Sequence, residues 1–450
     1  MATISHDAAN GSLDPANLVS GWSRLQLFAV GTCFILNMVD GIDILMMSYL
    51  APAIAKEWTI GAAQLGVVFS AAIAGMMAGA LMLAPVADRI GRRPIILFAI
   101  ALMGGSMFAS GFAASITLLI ILRFTVGVGI GGILATLAAI TSEYSPAKHK
   151  TMSVALLQAG YPIGAMLAGF IVSALLPAHG WRFLMSGAGT LTLFLFPLTF
   201  WLLPESLEFL EKRRPRGAME KIVKLRQKMG LPAFKETSKM YEAPPHVSLN
   251  MLFINGRWKQ TLILWASFFF CYMTLYFIIS WVPRLAIEAG LAPGQAIFAG
   301  TSYNLGAFVG GLLMCFFLLK HEARRLVLYF MVAGAASLAV FGVPMSVLAT
   351  LFVAFLIGVS VQGGFAGLPP LAAVTYPAEI RSTGIGSAIG IGRAGAVIGP
   401  LVGGWLLSIQ TPLYVVFITF TLPLFLTGIL VMLITSSSKI GGAAVASGVE

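Results

Sequence analysis

Along this chain apolar residues come in long unbroken runs, and polar residues gather in the gaps between them. Apolar spans fall near 24–50, 63–86, 94–113, 116–140, 151–176 and 183–203. They resume near 258–284, 294–319, 324–343, 346–370, 382–408 and 411–435. About 20 such residues are enough to cross the ~30 Å hydrocarbon layer as a helix. The only long hydrophilic insert runs over 204–257 and parts six spans from six. The pattern predicts an all-α integral membrane protein of twelve transmembrane helices in two pseudo-symmetric six-helix bundles. The N-terminal bundle covers 1–203 with a cytoplasmic tail, and the central cytoplasmic loop 204–257. The C-terminal bundle covers 258–450 with a second tail. Residues Met1 to Ser20 are polar and lack a basic leader, so they read as a disordered tail and not a cleavable signal peptide.

Composition agrees. The 450 residues are 58% hydrophobic and only 10% charged, where soluble domains carry about 25% charge. Lys and Arg sit in alternate loops. One side holds Arg89, Arg92, Arg93, Lys148, Lys150, the central loop, Lys320, Arg324, Arg325 and Arg381; the other holds only Lys56, Arg182 and Arg284. The basic excess marks the cytoplasmic side, which puts both termini in the cytoplasm; the membrane is expected to be the inner (plasma) membrane of a bacterial cell. The net charge of +11 is therefore a topology signal, and no basic, aromatic-interleaved face points to nucleic acid. Cys33, Cys271 and Cys315 are isolated in apolar runs, with neither disulfide nor metal-ligand spacing. With no metal cluster, nucleophile–base set or cofactor loop, no cofactor is expected and an enzyme or a receptor is not.

The halves repeat at a constant offset of 231 residues. Gly127 matches Gly358, Gly132 matches Gly363, Pro146-Ala147 matches Pro377-Ala378, and Lys150 matches Arg381. A parallel repeat of two six-helix halves places a ligand site near the midplane between them. The repeat breaks where charge enters the spans. Asp40 and Asp43 in span 1 correspond to Cys271 and Thr274, and Arg123 in span 4 to Ala354. A charge in the bilayer is costly, so these are functional candidates by default. Helical rise puts Asp43 and Arg123 at a similar depth, ~10 Å below the outer surface, with Asp40 one turn deeper on roughly the same face. Two close carboxylates in a low dielectric disfavour double ionisation, which suits a reversible proton carrier. Arg123 stays protonated; it can take a substrate carboxylate through its fork, hold an Asp ionised, or simply order helices 1 and 4. Arg393 lies ~16 Å from the cytoplasmic face in span 11 without an acid at its depth in its own half. An anionic substrate, an aqueous cavity or the carbonyls of broken helices could partner it.

Polar groups at midspan, Tyr161, Tyr276, Asn304 and Gln362, are further substrate candidates. Trp281, at the end of aromatic-rich span 7, reads as an interface anchor. Gly127, Gly129, Gly131 and Gly132 lie inside an apolar helix, out of context for a nucleotide loop, and suit close helix packing, as do Gly384, Gly386, Gly390, Gly392, Gly395 and Gly399. Between spans 2 and 3, Asp88, Arg89, Arg92 and Arg93 surround Gly91. They are expected to form cytoplasmic ion pairs that break as the halves rock, with Glu143, Glu379 and Arg381 as companions at the ends of spans 4 and 10. The Lys-rich stretch Ala218 to Met229 is expected to form a helix on the cytoplasmic membrane surface.

The loop at 84–93 resembles the signature loop of the major facilitator superfamily, with Ala84 in place of the usual first glycine. Asp40-Gly41-Ile42-Asp43 is similar to the Asp-Gly-x-Asp motif of its aromatic acid:proton symporter branch. So are Leu203-Pro204-Glu205-Ser206 and the stretch from Tyr376-Pro377-Ala378-Glu379-Ile380-Arg381 to Gly392-Arg393. The loop at Lys320 to Arg325 departs from the signature order. The resemblance implies a monomeric carrier that imports a small aromatic carboxylate, of benzoate or hydroxybenzoate type, with protons by alternating access. Asp40 and Asp43 would couple the proton, and Arg123 or Arg393 would bind the carboxylate. Symport of nonaromatic acids such as muconate, or proton-coupled drug export, would use the same charges.

Overall fold

The computed structural model describes residues 21–231, 249–254, 256–377 and 379–434. Both expected tails, part of the central insert and Ala378 lie outside the described residues. Eleven helical stretches are long and apolar enough to cross a membrane. In the N-terminal half these are α1 (Arg24–Trp58), α2 (Ala62–Ile90), α3 (Arg92–Ser110), α4 (Ile116–Tyr144) and α5 (Lys150–Leu202). Two short helices follow, α6 (Leu207–Arg213) and α7 (Ala218–Lys228). In the C-terminal half come α8 (Trp258–Glu288), α9 (Pro293–Leu318), α10 (Ala323–Phe341), α11 (Val347–Ile357) running into α12 (Gly363–Thr375), α13 (Arg381–Ser408) and α14 (Leu413–Met432).

At 53 residues, α5 would span about 80 Å if straight, more than twice the hydrocarbon thickness. Gly180 resolves this: its φ of 74° breaks the helix, a backbone state glycine adopts without steric cost. α5 therefore supplies the fifth and sixth crossings, and α11 with α12 supply one between them, giving twelve. α1 begins at a capping box, Ser23 Oγ accepting from Gln26 N while Gln26 accepts from Ser23 N.

The repeat is written in the packing as well as in the residues. A Cβ on Gly127 would strike the carbonyl of Ala72, and one on Gly358 the carbonyl of Tyr303. Gly75 abuts Phe124 and Gly306 abuts Phe355; Gly79 and Gly310 abut Val128 and Val359. Each of these three contacts in one half recurs 231 residues on, because small residues let α2 approach α4, and α9 approach α11 and the turn that follows it, to backbone distance. One pair is exchanged. Gly41 on α1 receives the backbone of Tyr161 on α5, whereas its counterpart Tyr272 on α8 lies against Gly392 on α13. Gly386 and Gly390 were expected to pack in this way and do not; a Cβ on either meets nothing within 4 Å.

The halves touch chiefly away from the basic loops. Ser48 Oγ donates to Ser280 O at 2.8 Å, and Ser70 Oγ to Val397 O at 2.7 Å. Phe69 meets Trp281 edge-on with ring centroids 5.3 Å apart, and Gly66 lies against Pro400 and Gly404. Trp281 is thus fully buried, its indole N–H donating to Pro400 O at 3.1 Å. The interface-anchor reading is corrected: the ring plugs the seam between the halves instead of facing lipid headgroups. On α7, Ala218 and Ile222 pack against Leu210 of α6.

Candidate functional site

Among the described residues, two cavities lie where the halves meet. The larger, ≈ 420 Å³, is lined by α1, α2, α4 and α5 on one side and by α8, α9, α12 and α13 on the other. Its lining descends toward the basic end through Gln158, Cys315 and Pro369, while the seam closes the opposite end. The smaller, ≈ 30 Å³, is set between α1, α2, α4 and α8; that space holds a water or two and no organic ligand.

The four intramembrane charges divide between these cavities. Asp43 and Arg123, matched in depth by helical rise, line the small one with Ser48 and Ser280. Asp43 is 0% exposed and Arg123 1%. Among the described residues neither Asp43 oxygen nor Arg123 Nε has a hydrogen-bond partner, and an Arg123 Nη2–H points to the sulfur of Met107. The two do not form a closed ion pair, yet each lies within the other's field. Asp40 lines the large cavity, and across it, from the other half, stands Arg393. This revises one expectation: the carboxylates of span 1 do not open onto one shared site. Arg393, with no acid at its depth in its own half, faces one from the opposite bundle. Asp40 is 3% exposed, and among the described residues neither of its oxygens nor the buried Arg393 Nη1 has a hydrogen-bond partner. Buried polar atoms without partners are rare, and here they surround open space.

Tyr161, Tyr276, Asn304 and Gln362 all line the large cavity. Asn304 spends its amide donor on Gly300 O at 2.9 Å. Gln362 ends a π-helical turn, Gly358–Gln362, that widens the helix beside the cavity. Tyr272 and Tyr276 stack at 6.0 Å and 10°, and Phe365 meets Tyr272 edge-on at 4.9 Å. Sequence reasoning passed over Gln158, Asn37, Tyr303 and Phe365. Gln158 carries the signal used for the others, an amide inside an apolar run, one turn before Tyr161.

At the basic end the charge cluster forms within one half. Arg92 pairs with Glu143, and its Nη2 lies 3.0 Å from Glu208. Ser206 Oγ donates to Glu143 at 2.8 Å. A Glu205 oxygen accepts the backbone N–H of Arg92 (2.8 Å) and Arg93 (3.1 Å), capping the positive end of α3. The φ of 113° at Gly91 makes the turn, and a side chain there would collide with Glu205. Asp88 is only 4.0 Å from Arg92 and largely exposed; Arg93 stacks on Phe200 at 4.8 Å. Arg89, Glu379 and Arg381 are exposed and make no ion pair among the described residues. Glu379 was expected to join this cluster and does not, because the open cavity holds α12 and α13 away from the loop. Glu205 and Glu208 hold it together instead.

A family model described as the major facilitator superfamily matches residues 33–292 and 264–445. The chain belongs to the major facilitator superfamily. It is 32% identical to the 4-hydroxybenzoate transporter PcaK of Acinetobacter baylyi, over 91% of each chain. It is also 32% identical to the benzoate transport protein of the same species, over 88% of this chain and 86% of that one. Among solved structures, the xylose transporter XylE of E. coli superposes with a TM-score of 0.72 at 13% identity, covering 92% of this chain and 99% of that one. The shared fold is a twelve-crossing all-α membrane carrier.

Proposed function

We propose that this protein imports small aromatic carboxylates of benzoate or hydroxybenzoate type together with protons, working as a monomer in a bacterial inner membrane. The observation that carries the reading is Asp40 facing Arg393 across a ≈ 420 Å³ cavity walled by Tyr161, Tyr272 and Phe365. That volume falls in the range of small-molecule sites. The guanidinium supplies a forked anion receptor, the rings supply faces for an aromatic body, and the relatives that carry benzoate and 4-hydroxybenzoate supply the substrate class. With the basic end cytoplasmic, as the loop charges indicate, the cavity is open inward and the outer seam is shut.

In the cycle a proton arriving from outside neutralises the Asp40/Asp43 system. Neutral Asp40 no longer competes for Arg393, and the substrate carboxylate takes the guanidinium with its ring among the tyrosines. Arg123 compensates Asp43 when that carboxylate is ionised. A loaded site without excess charge can then pass through the occluded state, because burying an uncompensated ion is what the low dielectric forbids. The test is uptake into proteoliposomes under an inward proton gradient, offering benzoate, 4-hydroxybenzoate and muconate. Accumulation of the aromatic acids that collapses with the gradient is expected. Muconate accumulation in preference to both would sink the aromatic assignment, and gradient-independent uptake would sink the coupling.

A further inference from the structure

The two cavities share part of their lining. Ile44, Met76, Tyr276 and Ile279 border both. Three are apolar, so Tyr276 brings the only polar side chain to the wall between Asp43 and Asp40. Those two acids follow one another by a turn on α1, and their side chains nevertheless open to opposite sides of that wall. A proton cannot cross apolar side chains by itself, and a hydroxyl, which donates and accepts at one atom, can hand it on. The groups facing Tyr276 fit that task. Arg393 and Asp40 lie within electrostatic reach of its hydroxyl, and the small chamber on its other side carries Asp43, Arg123, Ser48 and Ser280 with room for water.

We propose that the Tyr276 hydroxyl passes the coupling proton from the Asp43 chamber to Asp40, and so sets the moment at which Arg393 becomes available to substrate. The step balances. Protonated Asp43 gives its proton to Tyr276 Oη, directly or through a chamber water, while the Tyr276 O–H proton moves to an Asp40 oxygen. The phenol is regenerated, Asp43 is left ionised beside Arg123, and Asp40 becomes neutral. Arg393 is released to take the incoming carboxylate. Tyr276 belongs to the C-terminal half and Asp43 to the N-terminal half, so the path exists only while the halves meet at this wall.

The inference rests on the proton-symport reading, and the experiment separates the two. Wild-type protein and Tyr276→Phe, which keeps the ring in the wall and removes only the hydroxyl, are reconstituted and offered benzoate, 4-hydroxybenzoate and gallate. Uphill uptake under a proton gradient is compared with tracer exchange at equal pH on both sides, which needs no net proton movement. In Tyr276→Phe, gradient-driven uptake is expected to fall at least about tenfold further than exchange does, a modest differential loss for a proton-transfer group. A parallel fall in both would make Tyr276 a substrate contact and overturn the relay, as would undiminished driven uptake. Wild-type protein that fails to concentrate any of the three acids would overturn the symport reading itself, and the relay with it.

Discussion

Asp40 and Arg393 confront one another across the large cavity from opposite halves of the molecule, each with buried polar atoms that no described residue satisfies. On the proposed reading Arg393 is an anion receptor, and its rival is the Asp40 carboxylate. Substrate affinity should therefore depend on the charge of Asp40 as much as on Arg393.

In Asp40→Asn the rival charge is gone at every pH. Binding of 4-hydroxybenzoate, followed by isothermal titration over a pH series, should weaken in the wild type as rising pH ionises Asp40 and stay level in the variant. Equal pH dependence in both would remove Asp40 from the competition.

Arg393→Lys keeps the charge and loses the planar fork. Losing one charge-assisted bond costs about 1.5–3 kcal/mol, so the dissociation constant should rise roughly 10- to 100-fold. Arg123→Lys, in a chamber too small for the acid, should leave affinity within about threefold and instead impair gradient-driven uptake. The reverse ranking would exchange the roles of the two arginines.

Cys315 is exposed at the mouth of the large cavity, whereas Cys33 and Cys271 are buried. Maleimide should label Cys315 alone, and bound substrate should slow the reaction. A Cβ at Gly404 would press on the backbone of Ala62 and Gly66 across the seam. Gly404→Ala should thus prise the outer side open and lower Cys315 labelling severalfold; unchanged labelling would show that the seam tolerates the added carbon.

The Glu205 cap at α3 predicts that Glu205→Ala loses about 1–2 kcal/mol of stability, by analogy with other helix caps, read as a lower melting temperature in detergent. Its neighbour Glu208 behaves differently with pH. The hydrogen bond from Lys212, then that from Arg92, holds its carboxyl below the ordinary carboxylate range. A carboxylate lowered in the folded state stabilises above its unfolded value and loses that contribution only as pH falls through the lower one. The cluster should stay intact between about pH 5 and 8. Glu208→Gln should accordingly leave the shape of the transport–pH profile in that window unchanged, and a shifted profile would tie this cluster to coupling.

The four intramembrane charges were legible because an ionised side chain in an apolar run has few structural excuses, and the midspan logic that found Tyr161, Tyr276, Asn304 and Gln362 placed all four on one cavity. The pairings were not legible. Depth along a helix matched Asp43 with Arg123, but whether Asp40 and Asp43 share a chamber depends on Tyr276 and Ile279 intruding from 230 or more residues away, and the partner of Arg393 lies in the other half. Trp281 misled for the same reason. An aromatic near a span end looks alike whether it meets headgroups or, as here, Phe69 across a seam. Glu205 stood in a recognisable stretch, yet its work as a cap on α3 needs the fold that brings the end of the sixth crossing beside Gly91.

The exchanged contact at Gly41 and Gly392 has a last consequence. Were the duplication strict, each half would present the same ring from the same helix, and a flat ligand could lie in the centre in either of two flipped poses of equal energy. Instead Tyr161 enters from α5 and Tyr272 from α8, each with a glycine where its symmetry mate would have a ring, and both border the one cavity. The two-fold is broken at the wall of the central cavity, so two equivalent halves enclose a space in which the two flipped poses of a flat molecule are no longer alike.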